Sequence, residues 1–264
     1  MAQGKRWIET KLLPQGWTDV FRQVGLFVVA FLLYDAVRGL VLSGNPYKPF
    51  GNAMRIINFE RAVHIFVEPS VQAWAENKHV LMDILDWTYL NGHFIVTLAV
   101  MLFIYFRRNK SFYFVRNVLL ISMGLALVGY WLYPTAPPRL MPEWGFTDSI
   151  SQFLTHSGNW STNTPAGAFV NAYAAVPSMH ICFSSIIGLT MARMSSHRLA
   201  KIAWCMYPPL VTFVVVATAN HFLVDVFLGA LTAAISFALA HRLLARARPE
   251  VWAFEDGRLG HATA

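Results

Sequence analysis

The sequence predicts an all-α polytopic membrane protein with six transmembrane helices and an extracytoplasmic interfacial helix. Three observations predict it. Of the 264 residues, 56% are hydrophobic and only 13% charged, which is too apolar for an ordinary soluble domain. The apolar residues gather in long runs, most of them near the length that crosses a bilayer. Fifteen of the 21 Lys and Arg fall within 1–22, 107–116, 193–201 and 242–258, at the two termini and at every second turn between the runs. That alternation is the positive-inside signature, and it places both termini in the cytoplasm.

The first span is expected at about 20–42. Lys5, Arg6 and Lys11 before it resemble the basic start of a secretory signal. The apolar run is too long for one and no small-residue cleavage site follows, so the span is expected to stay in the mature chain. Next, Asn52–Asn77 carries Ile56, Ile57, Phe59, Val63, Phe66 and Val67 among charged residues at roughly helical spacing. It is expected to lie flat on the outer membrane surface until Glu68-Pro69 breaks it, and this pattern alone indicates a structural cover without chemistry. Spans at 82–106 and 112–133 follow, then a long loop, Pro134–Val176, rich in Pro, Gly, Ser, Thr and Asn. In this loop Asn159-Trp160-Ser161 has the form of a glycosylation acceptor, a pattern too common to weigh. The remaining spans are a short one at 178–194, then 201–219 and 222–243. With no internal repeat and no soluble domain, residues 1–264 read as one membrane-embedded domain.

The net charge of +7 follows this topology and calls for no nucleic-acid partner, although it favours anionic lipid headgroups. The two cysteines, Cys182 and Cys205, fall near opposite faces and are expected to be packing residues, with no disulfide and no metal pattern. The span ends near Gly44, Val80, Tyr133, Pro177, Ala219 and His221 face outward, and every unusual polar motif lies at that face.

Val176-Pro177-Ser178-Met179-His180 opens the fourth span and Asn220-His221-Phe222-Leu223-Val224-Asp225 the sixth. Ionisable groups are costly in a bilayer, so two histidines and an aspartate there point to function. Pro177 suits a first helical turn, whose unpaired N–H groups and positive dipole end attract an anion. His180, projecting from that turn, is a candidate general acid; a helix cap with a packed histidine is the alternative. His221 and Asp225, four residues apart, are expected on one helix face, with Asp225 holding one ring nitrogen and the other free as base or nucleophile. A buried structural ion pair is the alternative, and a metal pair would lack its accompanying ligand set. In Tyr133-Pro134-Thr135-Ala136-Pro137-Pro138-Arg139, a proline-stiffened turn would hold Arg139 at the membrane surface. There its guanidinium could grip a phosphate or rest among headgroups. His93 lies mid-span, and no second histidine in that span has the spacing that a haem or transport site would use.

These three motifs, at 133–139, 176–180 and 220–225, in this order on outer span ends, resemble the type 2 phosphatidic acid phosphatase superfamily. They are most similar to its branch containing fungal inositol phosphorylceramide synthase. The resemblance runs from about Asn52 to Arg242 and includes Phe66-Val67-Glu68-Pro69-Ser70-Val71-Gln72. It implies that His221 is the nucleophile, Asp225 its orienting carboxylate and His180 the proton donor to the leaving group. Arg139, Ser178 and Asn220 are the expected phosphate-binding residues, and no cofactor or metal is expected.

Two positions depart from the phosphatase pattern. Its Lys seven residues before Arg139 is replaced by Leu132, and its Arg six residues before His221 by Val215. A phosphomonoester dianion needs those cations more than a phosphodiester monoanion does. The expectation is therefore a metal-independent phosphotransferase moving a phospho-headgroup, such as phosphoinositol, from a lipid phosphodiester to a lipid or polyol hydroxyl through a phosphohistidine. A lipid phosphate phosphatase is the alternative, and a non-catalytic lipid-binding or transport protein a second. The expected location is the plasma membrane, with the active site outside.

Overall fold

The computed structural model describes residues 15–41, 47–156 and 173–255; Lys5, Arg6, Lys11 and Asn159-Trp160-Ser161 lie outside them. Among the described residues everything is helix, turn or loop, apart from one isolated bridge between Thr135 and Ala174. The helices are α1 (Gly16–Val41), α2 (Lys48–Ala62), α3 (Glu68–Glu76), α4 (His79–Trp87), α5 (His93–Arg107) and α6 (Asn109–Leu132). They continue with α7 (Ser149–His156), α8 (Met179–Met194), α9 (Arg198–Ala217), α10 (Leu223–Leu239) and α11 (Pro249–Trp252). A π-helical turn, Thr88–Gly92, joins α4 to α5 without a break, and another, Ala240–Ala245, extends α10.

Five stretches are long and apolar enough to cross a membrane: Gly16–Tyr34, His79–Arg107, Asn109–Leu132, Arg198–Ala217 and Leu223–Ala245. The chain is an integral membrane protein. The predicted fourth span appears as α8, whose 16 residues fall short of the roughly 20 a crossing needs. Its position explains the difference. α8 packs on α5, α6, α9 and α10 at once, with Ile181, Cys182, Ile186 and Ile187 buried, so neighbouring helices rather than lipid surround it.

Close packing around α8 depends on glycine. A Cβ on Gly129 of α6 would lie 2.6 Å from Cδ of Pro177, and one on Gly229 of α10 would lie 2.4 Å from the backbone oxygen of Ser178. Both contacts press on the segment that starts α8, where small residues let backbones approach.

The stretch expected to lie flat is two helices. α2 ends at Ala62, and the chain turns through His64, in left-handed backbone at φ 60°, before α3 begins at Glu68 with Pro69 in its first turn. The apolar face of α2 does not stand free. Ala53, Ile56 and Ile57 pack with Ala136, Met141, Phe146, Ala219 and Phe222 into a core over the three motifs.

α1 is largely exposed over Gly16–Tyr34 and is tied at its start by polar contacts. Asp19 accepts hydrogen bonds from the hydroxyls of Tyr105 (3.0 Å) and Tyr113 (2.9 Å), and Arg116 donates to Gln23 (2.7 Å).

Candidate active site

The end of α9 sets the site. Ala219 takes left-handed backbone (φ 49°), its N–H bonds the Val216 carbonyl at 3.0 Å, and the Asn220 N–H bonds the Val215 carbonyl at 2.9 Å. This pair of bonds is a Schellman termination with alanine where glycine is usual. It reverses the chain so that Asn220 and His221 stand between α9 and α10, and the Ala219 carbonyl accepts the Arg139 N–H at 2.8 Å.

His221 is not on the helix face that the four-residue spacing suggested. α10 starts at Leu223 with Phe222 as its N-cap, so His221 precedes the helix and Asp225 is its third residue. Asp225 supplies the return half of a capping box, since Phe222 at the N-cap has no side-chain acceptor of its own. Its Oδ2 accepts the Phe222 N–H at 3.0 Å and faces His221 Nδ1 at 3.4 Å. A carboxylate only accepts, so Nδ1 carries the proton and Nε2 keeps its lone pair. Burial pushes the His221 imidazole down to about 3; the Ala175 carbonyl opposes the fall and the Arg139 charge adds to it. At neutral pH the ring is uncharged, as an attacking nitrogen must be.

Two further carboxylates, which the sequence left within a structural cover, meet the same helix start. Glu68 Oε1 accepts the Leu223 N–H at 2.9 Å and Glu60 Oε1 the Val224 N–H at 2.8 Å. Both side chains are fully buried. Sequence separations of 155 and 164 residues hid these contacts. The only sequence signal was two acidic residues at positions where an apolar stripe would carry aliphatic ones.

Pro177 lies two residues before α8 rather than in its first turn. Ser178 is the N-cap, accepting the Ile181 N–H at 3.5 Å, and its own N–H bonds the Asp225 carbonyl at 3.1 Å. Ser178 is fully buried and does not line the cavity. His180, two residues on, does. Its Nε2 stands 3.3 Å from the Tyr89 carbonyl oxygen and its ring stacks on Tyr89 at 4.4 Å between centroids. Tyr89 belongs to the π-helical turn, a feature that recurs at functional sites. The carbonyl can only accept, so Nδ1 of His180 is the nitrogen left to exchange a proton with a ligand.

Arg139 is held on two sides, by Nε to Asn220 Oδ1 and by Nη1 to Asp148 Oδ2, both at 3.0 Å. Asn220 is fixed in turn by donating to the carbonyl and hydroxyl oxygens of Thr218, at 3.0 and 2.8 Å. Arg139, Asn220, His180 and His221 converge on one open cavity of about 190 Å³. The rings of His180 and His221 lie 5.9 Å apart. Arg139 is the sole Lys or Arg among the described lining residues. Beyond the polar end the wall is aromatic, and Phe31 and Phe94 belong both to it and to the exposed flank of the bundle.

His93 is a cavity residue that the sequence set aside as mid-span. Its ring centroid is 4.8 Å from that of His180, and its buried Nδ1 has no hydrogen-bond partner among the described residues. The two departures also have places. Val215 is fully buried in an apolar cluster with Ile181, Val211 and Val216, whereas Leu132 is exposed at the end of α6.

The sequence profile of the PAP2 superfamily matches residues 54–239, which include all three motifs and both capping glutamates. Membership of that superfamily points to a phosphatase- or phosphotransferase-type lipid function. No curated protein and no solved structure matches the chain.

Proposed function

The chain belongs to the PAP2 superfamily, and from that premise we propose that it is a membrane phosphotransferase moving a phospho-headgroup between a lipid phosphodiester and a hydroxyl acceptor. The observation that carries this reading is the composition of the cavity: two histidines 5.9 Å apart and a single cation at the head of an aromatic-walled space. A single arginine, itself paired with Asp148, offers little charge for a phosphomonoester dianion, and a phosphodiester carries one negative charge fewer.

In the first step His221 Nε2 attacks phosphorus. A P–N bond forms, the P–O bond to the lipid alcohol breaks, and protonated His180 gives its proton to the departing oxygen. In the second step an acceptor hydroxyl attacks the phosphohistidine, its proton passes to His180, and the P–N bond breaks. Asp225 holds the His221 ring throughout, while Arg139, steadied by Asn220 and Asp148, holds the phosphoryl oxygens. The chemistry asks for positioning and charge compensation, with no cofactor. The aromatic walls suit a lipid chain entering from the side near Phe31 and Phe94, and a phosphoinositol headgroup fits the resemblance of the motifs. Positive-inside counting supports an extracytoplasmic cavity, and the plasma membrane is the location that goes with this reading.

The test is purified protein in mixed micelles with labelled phosphatidylinositol and a lipid or polyol alcohol, run beside labelled phosphatidic acid and polyprenyl phosphate. The expected product is the headgroup phosphate attached to the alcohol. Release of inorganic phosphate alone would identify a phosphatase and overturn the reading. A reporter fused after Ala264 checks orientation, with a cytoplasmic signal expected.

A further inference from the structure

We propose that Glu60 and Glu68 form a carboxyl–carboxylate pair sharing one proton, and that this pair acts as a positioning device for His221 by capping the first turn of α10. The role rests on the proposed histidine nucleophile; the shared proton does not.

Three consecutive N–H groups open α10, and each meets a different carboxylate: Phe222 meets Asp225 at 3.0 Å, Leu223 meets Glu68 at 2.9 Å and Val224 meets Glu60 at 2.8 Å. A helix start leaves such donors without internal partners. An acidic residue in the first turn is drawn to whichever of them is free. With the Leu223 and Val224 donors occupied from outside the helix, Asp225 Oδ2 is left to the Phe222 N–H and His221 Nδ1. The two glutamates thus decide which way the orienting carboxylate points, without touching the imidazole.

The second oxygens locate the proton. Oε2 of Glu60 and Oε2 of Glu68 are buried and have no hydrogen-bond partner among the described residues when both groups are ionised, because two carboxylates can only accept. Because their Oε1 atoms cap the consecutive N–H groups of Leu223 and Val224, the two buried side chains lie beside each other. One proton between them makes Glu60 a donor and satisfies the pair, whereas two bare carboxylates in contact would repel. The charges acting on Glu60 are both negative, Glu68 from α3 and Asp225 from α10. Burial, then the Glu68 charge, raise the Glu60 carboxyl to about 9, against a smaller opposing pull from the Val224 N–H. A metal is a poor alternative occupant, since among the described residues no three His, Cys, Asp or Glu are grouped to hold one.

The test compares Glu60→Gln, Glu60→Ala and Glu68→Ala with the parent protein. Glutamine keeps an oxygen for the Val224 N–H and supplies a permanent donor toward Glu68, so it mimics the protonated acid. Glu60→Gln is expected to keep kcat within a few-fold at neutral pH and to stay active above pH 9, where the parent loses activity as Glu60 ionises. Both alanine variants are expected to lose kcat by about 100-fold, the effect of a misplacement near 1 Å, with KM little changed because Arg139 and Asn220 are untouched. Equal damage in Glu60→Gln and Glu60→Ala, or an alkaline loss that persists in Glu60→Gln, overturns the proposal. So does full activity in both alanine variants. If the alanine variants do not fold, the glutamine variant decides alone. Infrared titration keeps the proton separable from the chemistry: a protonated-carboxyl C=O band should disappear near pH 9 in the parent and be missing from Glu60→Gln. If no lipid is turned over, this band still tests the shared proton, and its absence from the parent refutes it.

Discussion

At the scale of single residues the site is a set of groups each held by a partner that can act in only one way. The Asp225 carboxylate and the Tyr89 carbonyl accept and never donate, which fixes the proton on His221 Nδ1 and on His180 Nε2. The other nitrogen of each ring is left to the cavity, where the proposed mechanism uses one for attack and one for proton exchange. His221→Ala removes the attacking nitrogen and is expected to lower headgroup transfer by several orders of magnitude, as loss of a nucleophile does. Steady-state rates measured beside the melting temperature check it: unchanged turnover in this variant would rule out His221 as the nucleophile, and lipid binding without turnover in either protein would favour the non-catalytic alternative. The imidazole also has a pH consequence. A base held down to about 3 contributes stability that is fully present above its ordinary 6.5 and is lost as pH falls through 3.

At the scale of elements, what matters is how closely the starts of α8 and α10 and the end of α6 approach one another. Gly229→Ala would place a methyl 2.4 Å from the Ser178 backbone oxygen, which cannot rotate away. The start of α8 must then move, carrying His180 with it. The expected cost is about 1–3 kcal/mol of stability together with a clear loss of kcat, read by thermal unfolding in detergent and by assay. The two positions that depart from the phosphatase pattern differ in the same way. Leu132→Lys falls on an exposed helix end and should change stability by no more than about 0.5 kcal/mol. Val215→Arg puts an unpaired charge into a fully buried apolar cluster and should prevent folding to a stable monodisperse protein, checked by size exclusion. Restoring the second cation therefore requires repacking Ile181, Val211 and Val216.

At the scale of the whole molecule, the described chain is a helical membrane bundle with a lid. The bundle surrounds α8, and α2, α3 and the loop that follows α6 close over the motif end through the core that includes Ile57, Phe146 and Phe222. The lid carries Glu60 and Glu68, so lid docking and catalytic geometry are one event. Stability should record this. An acid raised to about 9 contributes stability that is fully present below its ordinary 4.5 and is lost as pH rises through 9. The melting temperature is therefore expected to fall toward pH 9, and Glu60→Gln to flatten that fall. An unchanged slope in the variant would show that other groups set the alkaline limit.

Class, span positions and motif residues were legible in the sequence because they depend on local composition. Apolar runs, basic turns and the Ser178, His180, His221 and Asp225 spacings need no knowledge of neighbours. Helix length was less legible at α8, because its shortness follows from being surrounded by protein. The four-residue spacing of His221 and Asp225 was visible, but its geometry was not, since a helix cap and a helix face share that spacing. Tertiary structure alone decided that Glu60 and Glu68 cap α10, that Ser178 is buried as a cap, and that His93 joins the cavity. Each of these rests on contacts between segments far apart in the chain, where burial and hydrogen-bond partners are set by packing and leave no periodic trace in the sequence.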